Sequence, residues 1–531
     1  MGYSQHYNTR KTPQGKPIPG RDMVANNAGG YVFSVGDEAR LRRFLVLGTI
    51  GGTYYVNEAK HTQEEADFVV RMIKADGPAV VREVVSVSDR GLAPKNDHAL
   101  FALALAMAFG DPTTRQLAGD ALPSVARTGT HLFQFINYVT SLRGWGRGLR
   151  RAVAAWYEDK GADKLAYQFV KYQSRTVDGN TWSHRDVLRL AHPVPPTRAH
   201  DALFSWAVGK PLDGREVPAL IQAYEAIKAA KTVKDVVRLI GEYKLTWEMV
   251  PGQWLGERKV WEALLPNLPY TAMIRNLGRM GALGILKPLG DDTIAIAERI
   301  RDPERVKRSR VHPMQILVAL VTYQKGSGVR GRLAWAPDQN VIAALSDAFY
   351  LAFDNVEPAG KRIMLALDVS GSMDLSRIAG LPLTPREASA ALSIVTMRTE
   401  PLVHLMGFSH TLVPINLSRT ATVSEAVRVM KRVPMGGTDC ALPMIYALEH
   451  EINVDAFVIY TDNETWFGNV HPVQALAEYR RKINPGAQLV VVAMTAGSFS
   501  IADPDDSGML DVVGMDTSTP ATISRFIAGK I

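Results

Sequence analysis

The chain has 531 residues, 46% hydrophobic and 21% charged, an ordinary globular balance with length for two or more cores. Its single cysteine, Cys440, excludes an internal disulfide framework and suits a reducing compartment. The net charge of +8 is uneven: residues 356–531 hold 14 Lys and Arg against 18 Asp and Glu, leaving 47 against 35 in residues 1–355.

A basic N-terminal two-thirds (+12) beside a mildly acidic remainder (−4) suggests a polyanionic partner for the first. The N-terminus has no apolar signal-peptide core. The longest apolar stretch, Ala99 to Gly110, is shorter than the roughly 20 residues a membrane span needs. The expectation is a cytoplasmic, monomeric protein without a membrane partner.

Residues 1–30 are polar and rich in Gly, Pro and Asn, and read as a flexible arm. From about 36 to 355 the pattern is nearly all helical. Ala66–Ile73, Trp145–Gly161, Lys164–Tyr172, Val217–Ala230 and Pro313–Tyr323 carry apolar residues at three- and four-residue spacing, and no strand-rich stretch is expected among them. Some 300 helical residues exceed a simple bundle, so paired helices stacked as degenerate repeats are predicted. Phe169-Val-Lys-Tyr-Gln-Ser-Arg places Lys171 and Arg175 four apart, which on a helix puts both on one face, suited to phosphate. His192 follows the helical stretch containing Arg185 and Arg189 and can hydrogen-bond phosphate or base. Lys307, Arg308 and Arg310 form a further basic run before the helix at 313, with a solvated loop as the competing reading. Trp145 reads as core, Arg147, Arg150 and Arg151 as ambiguous, and Tyr54 and Tyr55 as packing between helices or stacking on bases.

Near 356–362 the pattern changes to strands alternating with helices, the signature of a parallel sheet covered on both faces. The strand Ile363–Val369 runs into Asp368-Val-Ser-Gly-Ser. Gly436-Gly-Thr-Asp-Cys and Tyr460-Thr-Asp-Asn-Glu follow in order. Oxygen ligands from three loops would meet at the carboxyl edge of the sheet, where open α/β sheets place their ligands. Ser370 and Ser372 would bind a hard divalent cation, Mg²⁺ in the first place, directly; Asp368 and Asp462 would hold it through hydrogen bonds or water. Thr438 would be the exchangeable ligand, on a loop loosened by Gly436 and Gly437. The open position would take a carboxylate from an acidic ligand. No general base or nucleophile accompanies the set, so catalysis is not expected. Cys440 reads as a small buried residue at a helix start.

This constellation resembles the metal-ion-dependent adhesion site (MIDAS) of von Willebrand factor A domains. A second resemblance covers residues from about 30 to the C-terminus. Leu41–Tyr55, Trp145–Tyr157, Trp182–His192, Lys259–Pro266, Met273-Ile-Arg-Asn-Leu-Gly-Arg-Met, Val311–Leu317 and Gly436–Met444 are similar, in order, to motifs of the Ro (TROVE) family. That resemblance implies a ring of HEAT-like α-helical repeats over 31–357, followed by a Rossmann-like von Willebrand factor A domain over 358–531. It implies small noncoding Y RNA on a basic outer surface, single-stranded or misfolded RNA in the central hole, and an exoribonuclease partner in RNA processing, quality control or stress response. It carries RNA contact onto Lys171, Arg175 and His192, with Thr176–Thr181 longer than in vertebrate members. The rival readings are a protein-interaction scaffold using the metal site without RNA, and a chelatase-type subunit. The chain has no Walker A sequence, so an ATPase would have to be a separate chain.

Overall fold

The computed structural model describes residues 11–530 apart from 48–57, 94, 178, 213, 329–331, 354–356, 376, 379–381, 435, 496 and 514–518, and apart from the side chains of 58–64. Eighteen α-helices run from Asp37 to Leu351 among the described residues, which makes the N-terminal two-thirds a helical array as its periodicity predicts. Each helix buries an apolar stripe on its neighbours. In Arg147–Glu158, for example, Leu149, Val153, Trp156 and Tyr157 point inward while Arg147, Arg150 and Arg151 face solvent. The array also comes back on itself. His312, the N-cap of Pro313–Lys325, reaches the Leu92 carbonyl at 3.4 Å across 220 residues of sequence.

Two short hairpins accompany the helices among the described residues, and the second departs from the all-helical expectation for 36–355. β1 (Val24–Ala25) and β2 (Tyr31–Ser34) form a hairpin, as do β3 (Ser174–Val177) and β4 (Asn180–Ser183). The second hairpin is the segment noted as long in the sequence. It turns through Gly179 at φ 81°, a left-handed conformation that suits glycine.

The α/β domain carries β5 (Arg362–Asp368), β6 (Leu402–Phe408), β7 (Leu412–Pro414), β8 (Ala456–Thr461), β9 (Gln488–Ala493), β10 (Phe499–Ser500) and β11 (Met509–Val513). Six of these form one sheet in the order β11-β9-β8-β5-β6-β7, parallel except for β7. β5 and β8 are buried almost throughout, because helices cover both faces. Connections leave β5 toward β6 and leave β8 toward β9, so the chain direction switches between the neighbours β5 and β8. A crevice opens at the carboxyl ends of such a pair.

The N-terminal arm is a correction. Residues 11–34 are not a free tail but lie against the α/β domain. β2 pairs antiparallel with β10, and Gln14 is fully buried. Arg21 forms an ion pair with Asp503. The polar composition that suggested disorder instead supplies hydrogen bonds to the loops beneath. The array is fastened to the α/β domain at both ends. Arg43, buried on the helix Asp37–Leu47, donates to the carbonyls of Gly497 and Phe499 at 2.8 and 2.7 Å and pairs with Asp511. Near the other end, Tyr350 donates to the Ala421 carbonyl at 3.1 Å under the Arg398 guanidinium. Among the described residues no helix is long and apolar enough to cross a membrane.

Candidate functional site

β5 ends on Asp368, and the chain turns at once into the short helix Ser372–Leu375. Asp368 is inaccessible to solvent, and its two oxygens organise the turn. Oδ1 accepts from the Ser370 amide at 2.9 Å, and Oδ2 accepts from the Thr461 hydroxyl at 2.7 Å. The Ser370 and Ser372 hydroxyls sit 3.0 Å apart, and Ser372 also hydrogen-bonds Asp462. Asp462 Oδ1 accepts from the Glu464 amide at 3.1 Å. Thr438 is held through its backbone: its carbonyl accepts from the amides of Trp466 and Phe467, both at 3.1 Å. Asp368, Ser370, Ser372, Thr438 and Asp462 are all buried.

The electrostatics of this cluster are unbalanced. Burial, and then the charge of Asp462, push the Asp368 carboxyl well above the usual carboxylate range; burial raises Asp462 as well. Glu464 is pushed up to about 8 by burial and by Asp462. The Thr438 hydroxyl is buried with no hydrogen-bond partner among the described residues. The buried Arg386, paired with Asp374 at 3.1 Å, also acts on Asp368, but it leaves the buried carboxyls in excess of positive charge, and that excess and an orphaned hydroxyl are costly. A hard cation would relieve both, and an oxygen-only donor set suits Mg²⁺. Among the described residues no cluster of three His, Cys, Asp or Glu side chains suits a metal, so the hydroxyls would have to complete any shell.

Gly436 and Gly437 stand where side chains would collide with their neighbours. A Cβ on Gly436 would lie 1.8 Å from His410 Nδ1, and one on Gly437 would lie 3.0 Å from the Phe467 ring. These glycines admit close packing around Thr438.

Several residues of the site escaped sequence reasoning. Gln14 donates to Asp439 Oδ1 at 2.7 Å and to the Val470 carbonyl at 2.9 Å, and accepts from Thr465. Asn26 donates to the Thr465 carbonyl at 2.8 Å, and Asn27 to Glu464 at 2.8 Å. The arm therefore straps the two loops that carry Thr438 and Asp462. Partners more than 400 residues apart leave no local signal. Thr461, the last residue of a strand pattern ahead of Asp462, was the one readable addition.

Cys440 is fully buried, and burial, followed by the Asp368 charge, pushes its thiol pKa well up. Native protein at neutral pH is therefore expected to resist maleimide labelling that goes to completion in guanidinium. Labelling at comparable rates in the two states would contradict this.

The basic candidates divide. Lys171 and Arg175 do not share a helix face: the helix Ala162–Lys171 stops at Lys171, and Arg175 lies on β3 opposite Trp182. Lys171 is half-buried, donates to the Tyr167 hydroxyl at 2.8 Å and sits 3.4 Å from Glu248. Burial disfavours its charge, but Tyr167, Tyr172 and Glu248 outweigh that and raise its pKa. Arg175 is half-buried, while His192 is exposed and ends the helix His184–Ala191 at φ 49°. Lys307 and Arg308 close the helix Pro303–Ser309 and Arg310 caps it, all three exposed. The structure thus links Asp368, Ser370, Ser372 and Asp462 by hydrogen bonds, holds Thr438 on the loop bonded to Trp466 and Phe467, and leaves the six basic candidates on two separate stretches of the array. Tyr54 and Tyr55 lie outside the described residues.

Comparison with known proteins agrees with this two-part architecture. The TROVE domain family matches residues 24–322, and the Ro60 vWA domain family matches residues 362–527. The chain is 43% identical to the RNA-binding protein RO60 of Deinococcus radiodurans over 529 residues, covering 99% of this chain and 98% of that one. It is 34% identical to the RNA-binding protein RO60 of Caenorhabditis elegans, covering 96% and 90%. The crystal structure of the Deinococcus radiodurans RO (RSR) protein superposes with a TM-score of 0.71 at 43% identity, covering 93% of this chain and 100% of that one.

Proposed function

The chain belongs to the Ro family, with a TROVE domain followed by a Ro60 vWA domain, and on that premise we propose that it is a non-catalytic RNA-binding protein. The observation that carries this reading is full-length similarity to relatives named as RNA-binding proteins, reinforced by the +12 charge of residues 1–355. Small structured RNA of the Y type would lie along the exposed Lys307, Arg308 and Arg310 and the exposed His192, with Arg175 on the hairpin β3–β4. Phosphate contacts of this kind position RNA without reading its sequence. Single-stranded or misfolded ends would enter the centre of the array, and an exoribonuclease partner would act on them. Lys171 would act mainly through Tyr167 and Glu248, holding the base of that hairpin.

At the α/β domain, Asp368, Ser370, Ser372, Thr438 and Asp462 would hold Mg²⁺. The ion would supply an open coordination position for the carboxylate of an acidic partner. The protein's own part is to keep the hydroxyls converged and dry: Thr461 and the Ser370 amide fix Asp368, and Gln14 and Asn26 fix the neighbouring loops.

Sequencing RNA crosslinked to the protein in cells tests the reading. Enrichment of small structured noncoding RNA is expected. Recovery no higher than from an uncrosslinked control would favour the scaffold alternative.

A further inference from the structure

The motif Met273–Met280 has no part in the sites above, yet it forms one wall of a cavity of about 430 Å³ in the helical array. That volume is within the range of small-ligand sites, about 300–1,000 Å³. The other walls are aromatic. Trp247 lies near-parallel to Trp261 with ring centroids 6.3 Å apart, and Tyr323 lies near-parallel to Trp335 at 6.1 Å. Gly278 makes room for the second pair, because a Cβ there would meet the Trp335 ring at 2.6 Å.

Two features make this more than a gap in the core. The indoles of Trp261 and Trp335 donate internally, to the carbonyls of Leu255 and Tyr323, both at 2.9 Å. The Trp247 indole Nε1 is buried and has no acceptor among the described residues. An N–H left in this state costs free energy, so this wall is not packed to satisfy its own polar groups. The cavity also carries charge of one sign: Arg275 and Arg279 are exposed at its wall, and its described lining contains no Asp or Glu.

We propose that this cavity captures an unstacked nucleobase of single-stranded RNA. The base lies against the aromatic walls, and Arg275 and Arg279 hold the flanking phosphates. Aromatic faces with guanidinium neighbours are the general means of binding single strands without strong sequence preference. A neutral apolar ligand would leave both arginines without a role. The proposal rests on the RNA-binding reading and names a site for its single-stranded component.

The test uses the full-length chain and a short single-stranded oligoribonucleotide carrying 4-thiouridine, irradiated at long wavelength, with adducts mapped by peptide mass spectrometry. Adducts are expected on the peptides that hold Trp247, Tyr323 or Trp335. Arg275→Gln with Arg279→Gln changes exposed side chains, and should weaken the oligonucleotide at least about fivefold, the low end of what a stacked base and its contacts contribute. An oligonucleotide of the same length made of abasic residues should lose at least as much. Adducts only elsewhere, or abasic and intact strands of equal affinity, would overturn the pocket and leave the RNA reading standing if a duplex still binds. Failure to bind either the oligonucleotide or a duplex overturns both.

Discussion

Raising salt from 50 to 200 mM is expected to weaken duplex-RNA binding by about a thousandfold, taking about six neutralised phosphates and the counterion-release slope for a duplex. The physical basis is the charge of residues 1–355, 47 basic against 35 acidic, on a helical array that shows Lys307, Arg308 and Arg310 to solvent. Each such cation that meets a phosphate releases condensed counterions, so the logarithm of affinity falls in proportion to their number. Substituting these three by Gln should flatten the slope by about three. Lys171→Ala should change the slope by less than one, since that ammonium already faces Glu248 at 3.4 Å. Filter-binding titrations at four salt concentrations would read these slopes. A binding constant indifferent to salt would remove the electrostatic interface altogether.

Mg²⁺ at about a hundred times its dissociation constant is expected to stabilise the α/β domain by about 2.7 kcal/mol, the linkage value for a ligand that binds only the folded state. The effect should grow with pH. The folded-state pKa of Asp368 lies above its unfolded value because of burial and Asp462, and burial also raises that of Asp462. Between the ordinary carboxylate range and those raised values, the folded protein binds more protons than the unfolded chain, so metal-free stability falls as pH rises. A cation competes with those protons and gains as they leave. Asp368→Asn keeps one acceptor, for Thr461, at the expense of the Ser370 amide contact, and removes one buried negative charge. It should abolish the Mg²⁺ response and flatten the metal-free pH dependence. Thermal melts at pH 5.5 and 8, with and without Mg²⁺, separate the outcomes. Equal Mg²⁺ shifts in the parent and Asp368→Asn would exclude this site as the cause.

The two halves of the molecule differed in how much could be read from residue order alone. Asp368, Ser370 and Ser372 lie within five residues at the end of an apolar strand, so their convergence is a local consequence of a tight turn. Asp462 could be added because parallel strands end at one edge and the apolar run Ala456–Thr461 announced its strand, while Thr438, between two helices, rested on the Gly436-Gly-Thr pattern. The basic face was less legible. Lys171 and Arg175 fit helical spacing, but the helix stops at Lys171 and a hairpin takes over, a choice made by tertiary packing. Asn137 on another helix accepts from Asn180 and Trp182 and so fixes that hairpin in place.

The arm shows the same division most sharply. The polar, Gly-, Pro- and Asn-rich composition of residues 1–30 read as a free tail, yet Ile18 is buried and so are Val32 and Phe33 just beyond it. Gln14, Asn26 and Asn27 instead find partners on loops more than 400 residues away. Alone, the sequence determined the helical array, the parallel sheet, the charge asymmetry and the oxygen-donor set, because each arises from periodicity, composition or adjacency along the chain. Only the tertiary structure decided that the arm straps the loops carrying Thr438 and Asp462, that Lys171 is held by Glu248, and that Trp247, Tyr323 and Trp335 surround one cavity. Those facts depend on buried polar and aromatic groups meeting across long sequence separations, where no short-range pattern constrains the partner.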